Sequence, residues 1–250
     1  MQQASVPLYL DWTFWAAFMA AIAIVLSQIP PISQLIRPGK LAMELYSRIH
    51  LTHKVGNPNV QLQVILTNTG GRSVRVKGIT VRLSRDGKEV AVLPAQNYLQ
   101  EPGDKTTVLF TSFWVKPKEE WSHIVNFLNY FSRADEKKYK AAELALKTDI
   151  QEKRQLPEDK DRVVEADNSH VKTFDEMFHE KFIWQPGEYK LQVTVESPAK
   201  KAWAELKYRF TLFESDSTEL SGVKRDFKLG DGIYWNSGNH MGVIVQIVEA

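Results

Sequence analysis

Two short motifs in this chain have the residue types and the spacing of metal ligands. Glu120 is followed three residues later by His123, and Glu176 is followed at the same spacing by His179. On a helix, that spacing places a carboxylate and an imidazole on one face. Two such pairs on facing helices can hold two iron or manganese ions when two further helices each add a glutamate. The segment that contains both pairs is too short for four helices, so we interpret them as coincidental and keep a metal-dependent enzyme as an alternative.

The rest of the sequence lacks the common catalytic and cofactor-binding motifs. There is no cysteine, which excludes disulfides, thiolate nucleophiles and thiolate zinc ligands. Neither a Gly-x-Ser-x-Gly nucleophile motif nor a phosphate-binding glycine-rich loop occurs. His50 and His53 fall on opposite faces of a predicted strand, so shared metal ligation is not expected. We therefore expect no cofactor and no catalytic activity.

The composition indicates a folded protein without a strong overall charge. Of the 250 residues, 43% are hydrophobic, which is enough to build a core. Lysine and arginine together number 32 and aspartate and glutamate 30, so the net charge is only +2. This balance gives no electrostatic argument for binding to nucleic acid, and we expect no nucleic-acid partner.

Residues 12–29 carry no charged side chain, which is typical of a transmembrane helix. Such a helix would be about 27 Å long, close to the thickness of a bilayer core. Trp12 and Trp15 lie at one end, where aromatic side chains prefer the headgroup level, and Pro30 with Pro31 ends the helix. The sequence therefore predicts a permanent membrane anchor, with the lipid bilayer as one partner.

The charges on either side of this helix predict its orientation. Asp11 precedes it, whereas Arg37, Lys40 and further basic residues follow it. Because basic residues favour the cytoplasmic side, we expect a single-pass inner-membrane protein with its N-terminus outside and its C-terminal domain in the cytoplasm. The predicted anchor residues are Trp12, Trp15, Arg37 and Lys40. An alternative with the same anchor places the domain outside the cytoplasm, as an envelope or adhesion module.

Alternating apolar residues predict seven β-strands after the anchor. Turn sequences such as Asp86-Gly87 and Pro102-Gly103 separate the strands. At Gly78 the alternation slips by one residue, which predicts a β-bulge. Short strands with this spacing are typical of an immunoglobulin-like sandwich. The predicted inward-facing residues include Val60, Leu62, Val64, Leu66, Val108, Phe110 and Trp114.

Two stretches carry a resemblance to a known group of domains. TNTGGRSV (67–74) and PGEYKLQV (186–193) are similar to segments of bacterial immunoglobulin-like domains of the CARDB or fibronectin type III kind. The resemblance implies a β-sandwich in which Tyr189 is the corner tyrosine, whose hydroxyl bonds to the backbone. This chain departs from the pattern because it has no cysteine pair and has a long segment between the fifth and sixth strands.

That long segment, residues 115–185, has the spacing of helices rather than of strands. Trp121 begins a run of apolar residues at helical intervals, and Phe174 and Phe178 belong to another. Between the two runs, a charged stretch predicts an exposed helix and a solvated linker. Because insertions of this kind often carry function, Trp121, Phe174 and Phe178 are candidate contacts for a protein partner. The alternative is that these aromatic residues cover one face of the sheet.

Basic residues mark the outer face of one part of the predicted sheet. Arg75, Lys77 and Arg82 are predicted to point away from the core. On a domain tethered near a bilayer, they could contact anionic headgroups for about 1 kcal/mol each. The alternative is a solvated strand face, or pairing with acidic residues of the insertion.

The complete expectation is a mainly β protein with an N-terminal transmembrane helix, an immunoglobulin-like β-sandwich and an α-helical insertion between the fifth and sixth strands. Its predicted function is that of a non-catalytic module that binds or senses an unknown protein partner, with a homo-oligomer left open. The C-terminal run at 241–249 is expected to pair within its own chain rather than with another chain. The predicted segments are a short N-terminal segment (1–11), the transmembrane helix and its exit (12–36), the sandwich (41–114 and 186–213), the insertion (115–185) and a C-terminal extension (214–250).

Overall fold

A computed structural model describes residues 12–28, 37–101, 103–104, 106–155, 163–199, 202–238 and 241–250. Within these ranges the chain forms thirteen β-strands. The strands are β1 (Leu41–Leu45), β2 (Arg48–Lys54), β3 (Asn57–Asn68), β4 (Val74–Val76), β5 (Gly78–Arg85), β6 (Lys88–Leu99), β7 (Val108–Leu109), β8 (Phe113–Val115), β9 (Glu120–Leu128), β10 (Gly187–Glu196), β11 (Ala204–Leu212), β12 (Val243–Gln246) and β13 (Val248–Glu249).

Four α-helices and one 3₁₀ helix complete the described structure. The helix α1 (Trp12–Gln28) precedes the strands, and α2 (Arg133–Arg154) and α3 (Asn168–Lys181) lie between β9 and β10. After β11, α4 (Glu214–Gly222) runs directly into the 3₁₀ helix (Val223–Leu229). The helix α3 packs against both α2 and the 3₁₀ helix, so helices from distant parts of the sequence form one group.

Eleven of the strands form one sheet. Its order is β12-β2-β3-β9-β6-β5-β10-β11-β13, with β1 added to β3 and β7 added to β6. The strand β6 pairs with β5 as far as Pro94 and with β9 from Ala95 onward, so the sheet continues along this strand from one half to the other. At the far end β11 packs beside β1 and β12, which makes the sheet nearly closed. The strands β4 and β8 form a separate two-stranded ribbon.

Alternation along the strands builds the core inside this sheet. In β3 the residues Val60, Leu62, Val64 and Leu66 are buried, and the residues between them are only half-buried. Burial of an aliphatic side chain of this size contributes about 2 kcal/mol. The prediction that these four residues face inward is therefore confirmed.

The change of phase at Gly78 has a different origin from the predicted bulge. The strand β4 ends at Val76 and pairs with β8, whereas β5 begins at Gly78 and pairs with β10. The slip in the sequence is therefore the boundary between strands of two different sheets. A register shift typical of a bulge lies instead between Leu83 and Ser84 of β5, opposite β6.

The C-terminal segment joins the two ends of the large sheet. The strand β12 pairs with β2, where Val243 lies opposite Leu51. The strand β13 pairs with β11, where Val248 lies opposite Arg209. The apolar run at the C-terminus therefore pairs within its own chain, as expected from the sequence.

The segment around Trp121, predicted to be helical, forms the strand β9 in the middle of the sheet. It pairs with β3 on one side and with β6 on the other. Val125 and Phe127 are buried on one face, while Ile124 and Leu128 are half-buried on the opposite face. Because apolar residues occur on both faces of this strand, their combined spacing imitates that of an amphipathic helix.

These features contradict the predicted fold class. An immunoglobulin-like sandwich consists of two stacked sheets, whereas β6 here joins both halves into one nearly closed sheet. The predicted helical insertion between the fifth and sixth strands also contributes β9 to the middle of that sheet. In its described part, the protein is mainly β with four α-helices.

The predicted membrane anchor is contradicted as well. The helix α1 has 17 residues, which make about 26 Å of helix, less than the roughly 30 Å of a bilayer core. No helix of the described residues is long and apolar enough to cross a membrane. Without this anchor, the predicted single-pass inner-membrane location is also contradicted. The predicted orientation, with the N-terminus outside and the body in the cytoplasm, depended on the same anchor. Asp11, Pro30 and Pro31, on which that prediction also relied, lie outside the described residues.

The helices α2 and α3 and the 3₁₀ helix form a second apolar core beside the tip of the β2–β3 hairpin. The helix α2 contributes Tyr139, Leu146 and Ile150 to this core, so the predicted charged helix is confirmed but is not fully exposed. From the sheet, Val55 at the hairpin tip enters the same core. The hairpin therefore connects the sheet to the helical part.

Candidate functional site

The ribbon of β4 and β8 presents an arginine and a tryptophan side by side. Arg75 of β4 lies opposite Trp114 of β8 in the strand register. The flanking residues Val74, Val76 and Val115 are buried, so alternation turns Arg75 and Trp114 outward. The Trp114 residue is 61% exposed, which is unusual for the largest apolar side chain.

Three basic residues lie on the same face of the ribbon as Trp114. We define the ribbon surface as Arg75, Lys77, Trp114 and Lys116, all of which are exposed. None of its three cations forms an ion pair with a residue that the structure describes. Arg75 Nη2 donates a hydrogen bond to Ser112 Oγ at 2.9 Å, which holds the guanidinium beside β8. The ribbon surface thus combines an exposed aromatic ring with unpaired positive charge.

An aromatic cluster supports the ribbon from the side of the core. The rings of Phe113 and Trp121 stack with centroids 4.6 Å apart and an interplanar angle of 24°. Phe110 and Tyr98 contact the same tryptophan ring, with centroids 6.4 and 5.7 Å away. Each such aromatic pair adds about 0.5–1.5 kcal/mol to the burial of its apolar area. The cluster therefore fixes β8 and with it the position of Trp114.

The predicted partner contacts lie in two separate parts of the molecule. Trp121 is half-buried beneath the ribbon, where it supports the surface instead of forming it. Phe174 and Phe178 are buried among the helices, where both rings contact Phe227. The alternative reading of these aromatic residues, as packing residues, describes their positions better.

The three residues of the predicted basic face also lie in two separate parts of the molecule. Arg75 and Lys77 are both on the ribbon surface, Arg75 within β4 and Lys77 directly after the last residue of that strand. Arg82 lies on β5 in the large sheet, and its Nη1 is 2.6 Å from Glu89 Oε2. Two of the three residues therefore share a surface, and the third forms an exposed ion pair elsewhere.

The four candidate metal ligands do not come together. Glu120 and His123 lie on β9, where residues three apart face opposite sides of the sheet. His123 Nδ1 bonds to a backbone carbonyl at 3.1 Å. On α3, Glu176 Oε2 is 3.3 Å from Lys138 Nζ, and His179 lines a cleft that is described below. A shared ion is thus not supported by their arrangement.

The predicted anchor residues lie on two different segments. Trp12 and Trp15 are exposed on α1, whereas Arg37 and Lys40 precede β1. The Lys40 carbonyl accepts a hydrogen bond from the Thr69 N–H at 2.9 Å, so this residue is tied to the end of β3. The residues between the two segments are outside the described part of the chain.

One acidic cluster has the geometry of a cation site. Ligand atoms of Asp149, Asp167 and His170 all lie within 4.8 Å of one another. Lys153 Nζ is 2.9 Å from Asp149 Oδ2 and 2.6 Å from Asp167 Oδ1, so its ammonium group already pairs with both carboxylates, where a metal cation would otherwise bind. Burial raises the pKa of the Asp149 carboxyl, but hydrogen bonds from Lys153 and from the Asp167 N–H lower the pKa below its ordinary value. We interpret this cluster as a clamp between α2 and the start of α3.

His53 borders a cavity of about 330 Å³, but both of its ring nitrogens are engaged. Nδ1 accepts a hydrogen bond from the Gly56 N–H at 3.1 Å, which assigns the ring hydrogen to Nε2. Nε2 then donates to the Leu220 carbonyl at 2.7 Å. The ring also packs edge-on against Phe178 and Phe182. A histidine held in this way links the hairpin to the helices and leaves no nitrogen for proton transfer.

Sequence reasoning missed Trp114 as a surface residue. It placed Val108, Phe110 and Trp114 on one inward face of a single strand. The structure has two short strands, β7 and β8, and the irregular residues between them change the phase. Phe113 and Val115 therefore turn inward and Trp114 outward. Phe113 and Val115 fit an inward-facing alternation as well as Trp114 does. This pattern was the signal that could have predicted an outward-facing Trp114.

The comparisons with known proteins give matches among solved structures alone. No protein-family model matches the chain, and no curated protein matches it. Among solved structures, a crystal structure of a protein from Archaeoglobus fulgidus matches 70% of this chain and 96% of its own, at 10% sequence identity and a TM-score of 0.22. A match with so low a score carries no argument about fold or function. The resemblance to bacterial immunoglobulin-like domains thus stays a prediction.

Proposed function

We propose that this protein is a non-catalytic protein-binding module whose ribbon surface docks an acidic segment of a partner protein. The observation that carries the proposal is the position of Arg75 opposite an exposed Trp114. Tryptophan and arginine are among the residue types most enriched at the energetic centres of protein interfaces. Their pairing on an exposed surface therefore favours binding over a purely structural role.

The apolar part of the proposed interface is centred on Trp114. Covering a large exposed side chain of this kind contributes about 2 kcal/mol. A partner segment that covers this side chain would gain apolar contacts in addition to charge pairing.

The rigidity of the ribbon also supports the proposal. The stacked rings of Phe113 and Trp121 hold β8 in place before any partner arrives. Binding to a surface that is already ordered loses less conformational entropy than binding to a mobile one. The backbone next to Trp114 therefore needs little rearrangement to form a contact.

The charge of the ribbon surface supports an acidic partner in particular. Arg75, Lys77 and Lys116 contribute three positive charges without ion pairs to described residues. A complementary negative segment would be attracted at long range and oriented during association. The attraction weakens at high salt because exposed charges are screened.

The non-catalytic part of the proposal rests on the engagement of the candidate catalytic groups. His53 uses both ring nitrogens in backbone hydrogen bonds, and His123 bonds to a carbonyl inside an aromatic cluster. Ser217 and Ser221, near His179, both donate their hydroxyl hydrogens to backbone carbonyls. A serine nucleophile would instead donate to a histidine base.

Selection of short displayed peptides on the immobilised protein tests this function. We expect the enriched peptides to combine several Asp or Glu residues with one or more large apolar residues. Counter-selection on the double variant Arg75→Gln, Trp114→Ala should remove these peptides. Enrichment of peptides without acidic residues, or of peptides that bind the double variant equally well, would contradict the proposal.

A further inference from the structure

A cleft of about 630 Å³ opens between α3, α4 and the 3₁₀ helix, on a different part of the molecule from the ribbon surface. Its volume lies in the range of small-molecule binding sites. One wall is formed by residues of α3 and its C-terminal extension, and the other by α4 and the 3₁₀ helix. The cleft thus lies where two distant segments of the sequence pack together.

Three side chains that can carry positive charge converge on this cleft. His179 comes from α3, and Lys224 and Arg225 come from the 3₁₀ helix. None of them forms an ion pair or a hydrogen bond with a residue in the described part of the chain. By contrast, Lys153 of α2 and Lys181 of α3 are both paired with aspartate carboxylates. The donors of the cleft are therefore available to a ligand.

The cleft carries less negative charge than positive charge. Asp175 is the one carboxylate among its lining residues in the described structure. Ser217 and Ser221 direct their hydroxyl hydrogens to backbone carbonyls, so these hydroxyls offer acceptors inside the cleft rather than donors. The available donors belong mainly to His179, Lys224 and Arg225, and the cleft therefore favours an anion.

An aromatic wall adds an apolar part to the cleft. The rings of Phe178 and Phe182 stack with centroids 4.6 Å apart, and Phe182 is half-buried, so part of its surface faces the cleft. Behind them, the edge of His53 contacts both rings and fixes them. Lys224 Nζ lies 5.2 Å from the centroid of Phe178, which holds the ammonium group beside this wall.

We propose that this cleft binds a small phosphate monoester whose organic group packs against Phe182. An arginine and a lysine can bind the several oxygens of a phosphate, the arginine in a bidentate manner. His179 can donate one further hydrogen bond when neutral and two when protonated. Together, His179, Lys224 and Arg225 give three donor side chains, which match the three terminal oxygens of a phosphate monoester better than the two oxygens of a carboxylate.

Calorimetric titration of the full chain with phenyl phosphate, inorganic phosphate and benzoate tests the proposal at constant ionic strength. Phenyl phosphate should bind about threefold or more tightly than inorganic phosphate, because its ring covers apolar surface. It should also bind more tightly than benzoate, which carries less charge. The variants Lys224→Gln and Arg225→Gln should each weaken phenyl phosphate binding about tenfold, the usual effect of losing one charged hydrogen bond.

Lys172→Gln is the matched control, because Lys172 is exposed on α3 and does not line the cleft. Its affinity for phenyl phosphate should change by less than about twofold, as expected for distant surface charges. An equal loss in the control would reveal non-specific attraction and overturn the proposal. So would the absence of saturable binding, and binding of benzoate as tight as that of phenyl phosphate would overturn the phosphate assignment.

A second measurement needs no substitution. In an NMR titration of the wild-type protein, phenyl phosphate should shift the backbone amides near His179 and Arg225 and leave those of β4 and β8 unchanged. Shifts concentrated on the ribbon surface would contradict a separate site at the helices. Because the two surfaces share no residue, failure at the cleft would leave the proposed protein-binding function standing, and failure at the ribbon would leave the cleft standing.

Discussion

Gly56 and Phe178 are in direct backbone contact. A Cβ atom at Gly56 would lie 2.7 Å from the carbonyl oxygen of Phe178 and 2.9 Å from its Cα. This close approach brings the tip of the β2–β3 hairpin against α3 and allows Val55 to enter the helical core. Val55 has a φ of 47°, a conformation that costs a β-branched residue energy, and the burial of its side chain offsets that cost.

The contact predicts that Gly56→Ala strongly destabilises the protein. Gly87 is the matched control, because it has the same φ of +79° but nothing within 4 Å of its Cβ position. Both alanine variants lose about 1 kcal/mol or more from left-handed strain, and Gly56→Ala should lose a further 1–3 kcal/mol or so from overpacking. Urea unfolding followed by circular dichroism measures the difference. Equal losses would show that the hairpin does not pack against α3 in this way.

Tyr189 predicts a second effect on stability. Its ring is buried, and its hydroxyl lies 2.8 Å from the carbonyl oxygens of both Ile183 and Gln185, a backbone contact of the kind that the resemblance implied. Tyr189→Phe should lower the free energy of unfolding by about 1 kcal/mol through the lost hydrogen bond. Tyr208→Phe, at a half-buried position on β11, should change it by less. A larger loss for Tyr208→Phe would argue against the assigned role of the Tyr189 hydroxyl.

Protonation of the Asp149 carboxyl should account for part of the stability that the protein loses at acidic pH. The pKa of its carboxyl is lower in the folded protein than the ordinary value of 3.8, so the unfolded state binds the proton more readily. Its contribution to stability is therefore present above pH 3.8 and is lost as the pH falls through the lower folded pKa. In urea unfolding over a range of pH, Asp149→Asn should be less stable than wild type at neutral pH and lose less stability below about pH 4.

Glu152→Gln is the control for this acid series, because Glu152 is exposed on the same helix. It should follow the wild-type curve closely. If Asp149→Asn has the wild-type dependence on pH, the hydrogen bonds from Lys153 and from the Asp167 N–H do not stabilise the ionised carboxylate.

The cluster of Asp149, Asp167 and His170 predicts a conditional response to metal ions. Because the Lys153 ammonium group already pairs with both carboxylates in the wild-type protein, added Mn²⁺ or Zn²⁺ should shift the melting temperature by less than about 1 °C. Lys153→Ala removes the ammonium group, and the same ions should then raise the melting temperature. Marked stabilisation of the wild-type protein by metal would show that the lysine does not occupy the cation position.

The sequence predicted those strands whose two faces differ. The even positions of β3 from Val60 to Leu66 alternate cleanly because only one face of this strand is buried, and the charged helix α2 also followed its pattern. Around Trp121 the same method failed, because apolar residues lie on both faces of β9 and their spacing matches a helix. At Trp114 it failed because an irregular connection between two short strands reversed the phase.

The candidate sites were less accessible to sequence reasoning than the strands. Arg75 and Trp114 meet only through the pairing of β4 with β8, and no local pattern encodes that pairing. The cleft is similar, since His179 and Arg225 are brought together by the packing of α3 against the 3₁₀ helix. Contacts between residues so distant in sequence depend on the complete fold, whereas turns and alternation depend on neighbouring residues.

The dissociation constants of one selected acidic peptide for wild type, Trp114→Ala and Phe213→Ala test the proposed function most directly. Phe213 is the control because it is 60% exposed, nearly the same as Trp114, but lies at the start of α4. We expect Trp114→Ala to weaken peptide binding about thirtyfold or more, as for a residue at the centre of an interface, and Phe213→Ala to change it by less than about twofold. Equal affinities for all three proteins would contradict the assignment of the ribbon surface as the binding site.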